Sequence, residues 1–370
     1  YWVMAPVFRR IRRTTLAEMS EDRYGPWMGN IYTVFALSFF TINTASMLKG
    51  AGKVINQATG GQLGVDTVIL GMTVVFIAYS FIGGLVASAW SDFFQGFLII
   101  ALSFMLIPPG LALVGGMGGL RETLTSDQLS LATPQGIGPW VIAVLTLNGL
   151  IGIMAQPHML AAVGTGEDER ACRIGFMGGN FVKRFCTVGW AFVGLVVIAA
   201  VAQGSFGPLD DPEDAFGLAC RHLLFPGALG LLVASVLAAN MSTSSAFMVD
   251  SGALFTQSFY RKIVSDRADR HYLWVGRFSG FLITMIGVVY ALFLIDRVLS
   301  SFLLTETMAT YMGISFLGGI VWRRANRYGA LASLVTAMAA NFLIYGLRGD
   351  RLDHWDPWVF LASLGAGILA

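Results

Sequence analysis

The sequence predicts an all-α fold, a polytopic membrane helical bundle, and three observations carry that prediction. Of the 370 residues 55% are hydrophobic and 12% charged, against about 25% charged in a typical soluble domain. Apolar stretches long enough to cross a bilayer follow one another along nearly the whole chain. Between them, basic residues are abundant in one loop and sparse in the next.

The chain opens Tyr1-Trp2-Val3-Met4-Ala5-Pro6. This apolar run is shorter than the roughly 20 residues a spanning helix needs, so it reads as the tail of a helix begun upstream. Residues 9–25 form a charged amphipathic stretch. Six spans follow at 28–48, 67–89, 93–114, 139–163, 185–202 and 227–249, each too continuously apolar for an amphipathic core helix. A polar loop at 205–225 holds a predicted short helix after Asp210-Asp211-Pro212. Four more spans lie at 274–295, 299–321, 329–347 and 356 to the end. All 370 residues read as a single transmembrane domain of about ten spans plus the earlier tail, incomplete at both ends.

Charge tests this count, because cytoplasmic loops collect Lys and Arg. With the first loop inside, the segments 9–23, 170–184, 261–277 and 323–327 hold seventeen of the 24 basic residues. Lys49, Lys53, Arg121, Arg221, Arg297, Arg348 and Arg351 fall on the other side. A missed span would scramble that alternation. The expected location is therefore the plasma membrane, multi-pass, with the lipid bilayer as partner.

A net charge of +2 gives no reason to expect a nucleic-acid partner. Cys172, Cys186 and Cys220 have no metal-ligand spacing and are assigned packing roles. No glycine-lysine phosphate loop argues for ATP-driven transport, and no nucleophile with a base argues for an enzyme.

Three segments carry a resemblance. They are Arg13-Thr14-Thr15-Leu16-Ala17-Glu18 with Asp22-Arg23-Tyr24-Gly25; Gly83-Gly84 with Asp92-Phe93-Phe94-Gln95; and Ala238-Ala239-Asn240-Met241-Ser242-Thr243-Ser244-Ser245 with Tyr260-Arg261-Lys262. Together, and with Trp322-Arg323-Arg324 later in the chain, they resemble the sodium:solute symporter family. The resemblance implies a leucine-transporter-like inverted-repeat fold, here lacking its first helices, and sodium-coupled uptake of a small polar organic solute. It implies no cofactor, sodium being the coupling ion. The missing first broken helix would supply half of the sodium site, so the chain alone is expected not to perform coupled transport. A transporter-like solute sensor without net transport is the alternative reading.

On the residues themselves, Ala239, Ser242 and Thr243 stand at i, i+3 and i+4, which puts two hydroxyls and a carbonyl on one helix face. A hard cation needs such oxygens. Ser and Thr in membrane helices also bond their own i−4 carbonyls, and the family resemblance favours the sodium reading of these positions. Asp92 is a candidate cytoplasmic-side cation station with Ser245 as an oxygen neighbour. The competing reading is an N-cap on the following span. For the solute, the candidates are Asn148, Gln156 and His158 in the 139–163 span, which the resemblance equates with a broken helix, and Glu306 inside 299–321. Pro157 frees a backbone carbonyl there. Where relatives carry an Arg shortly afterwards, this chain has Met159-Leu160-Ala161-Ala162. For Glu306 a structural ion pair stands beside solute contact, and for His158 packing stands beside ligation.

Overall fold

A computed structural model describes residues 2–130, 138–164, 166–295, 297–348 and 356–370. It is helical, with no strand among the described residues.

The amphipathic start divides into α1 (Met4–Ile11) and α2 (Leu16–Tyr24). The Thr-x-x-Glu motif has a local cause: it is a capping box. The Thr15 hydroxyl accepts from the Glu18 N–H, and the Glu18 carboxylate accepts from the Thr15 N–H. The helix stops at Gly25, whose φ of 93° favours glycine, and Pro26 opens α3 (Pro26–Ala58). The rest of the motif ties α2 to the turn before it and to the end of α15. Arg13 binds Asp22 through two bonds of 2.7 and 3.0 Å. Arg23 donates to the carbonyls of Gly319 and Trp322, and the Tyr24 hydroxyl donates to the Ser315 carbonyl at 2.6 Å.

Helix α4 (Val65–Met105) corrects the sequence reading. The predicted break between the 67–89 and 93–114 spans is absent: the helix runs unbroken through Gly83-Gly84 and Asp92 and yields only at Leu106. Glycine weakens a helix by about 1 kcal/mol per residue, and no proline arrives before Pro108 to force a stop. Two apolar stretches of spanning length, Val65–Gly83 and Ala89–Val114, still follow one another here.

The shorter helices α5 (Ile107–Val114), α6 (Gly116–Thr123) and α7 (Ser126–Leu129) come next. The predicted 139–163 span is interrupted. Helix α8 (Pro139–Gly152) passes into one 3-10 turn, Ile153–Ala155, opens at Gln156-Pro157, and resumes as α9 (His158–Gly164). Helix α10 (Glu169–Ala202) begins sixteen residues before the predicted 185, because the Asp168 side chain caps it by accepting from the Ala171 N–H. The basic residues 170–184 are thus helix rather than loop.

Within the 205–225 loop lies the short helix α11 (Ala215–Leu223), and after it comes α12 (Pro226–Phe255), prolonged by a π-helical turn, Thr256–Tyr260, and the single turn α13 (Arg261–Ile263). The chain ends with α14 (Asp269–Phe293), α15 (Val298–Val321), α16 (Arg327–Arg348) and α17 (Pro357–Leu369).

Among the described residues seven helical stretches are long and apolar enough to cross a membrane, two of them in the α4–α5 run, where the sequence predicts ten spans. The other three predicted spans are the interrupted α8 and α9; α15, which carries Thr305, Glu306, Thr307 and Thr310 along its middle; and α17, 13 residues long.

Two cores divide the bundle. One gathers the second half of α3 with α4, α10 and α11 around Leu48, Ile69, Phe76 and Val196. The other gathers the first half of α3 with α1, α2, α9 and α15 around Phe8, Leu16, Tyr32 and Met312. Helix α12 contributes to both, Leu232 to the first and Phe247 to the second. The candidate residues on α12 therefore lie where the two cores meet.

Candidate cation and solute sites

Helix α12 has no proline or glycine between Gly230 and Gly252, so its polar run keeps regular spacing. The Ser242 hydroxyl donates to Asp92 Oδ1 at 2.5 Å, joining α12 to α4. Ser245 donates to the Ser242 carbonyl at 2.8 Å. From α4 the Tyr79 hydroxyl donates to the Met241 carbonyl at 2.9 Å. Asp92, Ser242 and Ser245 are thereby brought together. Because Asp92 sits well inside α4, it caps no helix.

Ala239 and Thr243 form a second group. The Thr243 hydroxyl reaches the Ala239 carbonyl at 3.5 Å, one turn back along the same helix. Successive helical residues stand about 100° apart, so Ser242 can address α4 while Thr243 does not. The four cation candidates on α12 thus occupy two neighbouring faces of that helix, and the fifth, Asp92, meets one of them from α4. Around them Gln95 Oε1, Asn240 Oδ1 and the Ser244 hydroxyl are buried without a hydrogen-bond partner among the described residues. Such orphan oxygens are what a cation or a donor would satisfy.

The solute candidates divide similarly. Asn148, Gln156 and Glu306 line one seam between α8 and α15. The Thr310 hydroxyl donates to the Asn148 carbonyl at 3.0 Å and meets its side-chain oxygen as well. Gln156 Nε2 donates to Glu306 Oε1 at 2.7 Å. Close approach makes the seam: a Cβ on Gly313 would stand 2.4 Å from the Ile151 carbonyl oxygen. The opened backbone is held from α3, where the buried Tyr32 hydroxyl donates to the Ala155 carbonyl at 2.7 Å. Glu306 has no ion pair among the described residues, and its partner there is the neutral Gln156.

His158 faces elsewhere. Its ring lies 6.0 Å from Phe39 and 5.3 Å from Phe247, and its Nδ1 is buried without a partner among the described residues.

Sequence reasoning missed Tyr32, Tyr79, Thr310 and Asp250. Thr310 carried a signal, standing four residues after Glu306 on the same face. Asp250 stands seven residues after Thr243 on α12, an acid within an apolar run. The two tyrosines carried none, since an interior tyrosine looks like any aromatic until its hydroxyl finds a partner.

An interrupted helix seated beside a helix with a polar face, in a bundle of spanning helices, defines a membrane carrier with its site inside the bundle. The comparisons agree: the chain belongs to the sodium:solute symporter family, which matches residues 1–337. It is 28% identical over 357 residues to sodium/proline symporter 2 of Staphylococcus saprophyticus, covering 91% of this chain and 68% of that protein. It is also 28% identical over 369 residues to the high-affinity proline transporter PutP of Bacillus subtilis, covering 95% and 74%. Among solved structures, a substrate-bound, outward-open Na+-coupled sialic acid symporter superposes with a TM-score of 0.78 at 17% identity, over 99% of this chain and 77% of that one. The fold is the leucine-transporter-like one. Members of the family are secondary transporters, not enzymes.

Proposed function

We propose that this chain carries a small zwitterion, proline or a solute of similar size and charge, inward with sodium across the plasma membrane. The observation that supports this most directly is the helix opened at Gln156-Pro157 opposite the acid Glu306. A proline lacks the donor that would continue the helix, so polar backbone becomes available inside the bundle, where a solute can use it. Glu306 supplies a carboxylate for an ammonium group, while Gln156 and Asn148 supply amides. Cation binding falls to α12, through the Ala239 carbonyl, Ser242 and Thr243, with Asp92 and Ser245 as oxygen neighbours. The proline assignment also draws on the relatives, two of which are named for proline.

Coupling follows if cation and solute favour the same conformational state, since each then strengthens the other's binding. The membrane potential adds about 2.3 kcal/mol per 100 mV for one positive charge. The test is uptake of labelled proline by the full-length protein in proteoliposomes, with and without an inward sodium gradient, followed by counterflow against sugars, carboxylates and other amino acids. Saturable, sodium-dependent proline accumulation is expected. Sodium-driven counterflow confined to sugars or carboxylates would overturn the zwitterion reading, and sodium-independent uptake would overturn the coupling.

A further inference from the structure

A further cavity, which shares Pro157 with the opened segment, is lined by none of the cation or solute candidates named above. It occupies about 250 Å³ between α12, α9 and the 13–16 turn, and its wall includes Asp250, Arg13, Thr14, Pro157 and Phe40. The basic loops put this end of α12 on the cytoplasmic side.

Asp250 is the anomaly. It is a carboxylate within a spanning helix and has neither a hydrogen bond nor an ion pair among the described residues. Intramembrane carboxylates are otherwise paired or placed on an ion path. The nearby cation does not serve it, because the Arg13 guanidinium is held by both oxygens of Asp22. Thr14, whose hydroxyl has no hydrogen bond among the described residues, adds an oxygen to the same wall.

Its position on α12 gives the cavity a direction. Ala239, Thr243 and Asp250 stand at i, i+4 and i+11, close to three full turns, and so share one face. Asp250 lies about 10 Å beyond Thr243 toward the cytoplasm at 1.5 Å per residue. Between them stands Phe247, packed on Phe40 with ring centroids 5.2 Å apart, and Phe40 also lines the cavity. An aromatic pair thus separates the Thr243 level from a chamber whose one uncompensated charge is negative.

We propose that this chamber is a cytoplasmic-side binding site for a monovalent cation, with Asp250 as its anionic ligand. Its occupant is a monocation small enough for the chamber, either a sodium ion or the ammonium end of a solute. A cation passing the aromatic pair would be held there before release.

Equilibrium binding to the purified full-length protein tests this, and it reads the site whether or not the chain transports proline. Labelled sodium and labelled methylammonium are each titrated against wild type, Asp250→Asn and Asp250→Glu. In Asp250→Asn, one component of an isotherm should weaken at least tenfold, while Asp250→Glu should retain it. Loss of sodium binding assigns the site to the metal ion, and loss of methylammonium binding alone assigns it to an ammonium group. Unchanged isotherms for both cations in a monodisperse Asp250→Asn protein overturn the proposal. Should that variant fail to fold, carbodiimide labelling of Asp250 in the wild type, read by mass spectrometry, replaces it. Protection by sodium or methylammonium is expected there, and equal labelling with and without both overturns the site.

Discussion

The Ser242 hydroxyl and the Asp92 carboxylate face each other across the interface of α12 and α4 at 2.5 Å. Removing one partner leaves the other half-buried without its bond, whereas removing both leaves nothing unsatisfied. Ser242→Ala or Asp92→Ala should each raise the sodium concentration for half-maximal uptake roughly tenfold, equivalent to about 1.4 kcal/mol. The double variant should be less impaired than the sum of the two. Strict additivity in that double-mutant cycle would show that the two side chains do not act together.

How much of this was legible beforehand depends on the kind of signal. The seven long apolar stretches followed from hydropathy, and Pro157 announced the interruption of the 139–163 span, because both are local properties of the chain. The break predicted before Phe93 was wrong for a local reason as well: Gly83-Gly84 weakens a helix without ending it. Glu306 was legible as an acid out of place, but its partner Gln156 stands 150 residues away, and no spacing rule connects them. The same holds for Tyr24 and the Ser315 carbonyl. Spacing alone put Ser242 and Thr243 on one face, yet the structure turns Ser242 toward α4 and bonds Thr243 along its own helix.

Orientation can be checked chemically. Single cysteines at Arg12, Asp266 and Arg324, all exposed, should resist an impermeant maleimide in intact cells and react after permeabilisation. Cysteines at Gln62 and Gly207, also exposed, should react at once. Ready labelling at two of the three cytoplasmic positions would invert the topology and with it the direction assigned to the Asp250 chamber.

The pairing of Glu306 with Gln156 separates charge from shape. Glu306→Gln keeps a side-chain oxygen that can accept from Gln156, so folding should be nearly unaffected, while the charge offered to an ammonium group is lost. The KM for proline should rise roughly tenfold or more, in line with about 1.5–3 kcal/mol for a hydrogen bond to a charged group. An unchanged KM in Glu306→Gln would return the acid to a purely structural role.

On the opposite face, Lys53 binds Asp211 at 2.9 Å and Glu213 at 2.6 Å, while Glu213 also accepts from the Leu299 N–H at the start of α15. The Lys53 ammonium, and then the Glu213 N–H, hold the Asp211 carboxyl below the usual carboxylate range. A depressed carboxyl stabilises the fold above its unfolded pKa of about 3.9 and loses that contribution as pH falls through the lower folded value. Asp211 is 44% exposed, so solvent screening limits the effect of Lys53→Met to about 1 kcal/mol at pH 7. The difference in thermal midpoint between wild type and Lys53→Met should shrink as the medium is taken below about pH 4. A difference that grows in acid would mean that the strap is not what Lys53 contributes.

Helices α12 and α14 meet through glycine. A Cβ on Gly280 would stand 2.2 Å from the Met248 carbonyl oxygen, and one on Gly252 would stand 2.1 Å from that of Gly276. These are backbone atoms, so no side chain can swing aside, and Gly280→Ala must push the helices apart. Overpacking of this kind destabilises by about 1–3 kcal/mol, and in lipid, where close van der Waals packing holds helices together, little else compensates. Gly230 and Gly346 supply the control. Both lie in helices, with nothing within 4 Å of an added Cβ, so alanine there should stabilise by up to about 1 kcal/mol through helix propensity. Thermal midpoints of the four variants should therefore divide by sign, Gly252→Ala and Gly280→Ala below wild type, Gly230→Ala and Gly346→Ala at or above it. The strain also has a functional reading, because α12 carries Ser242, Thr243 and Asp250. Displacing α12 from α14 should raise the sodium requirement of Gly280→Ala even in the fraction that folds. Wild-type sodium activation in a stable Gly280→Ala protein would show that the cation residues tolerate a shift of their helix, and that α4, through Asp92, fixes them without help from α14.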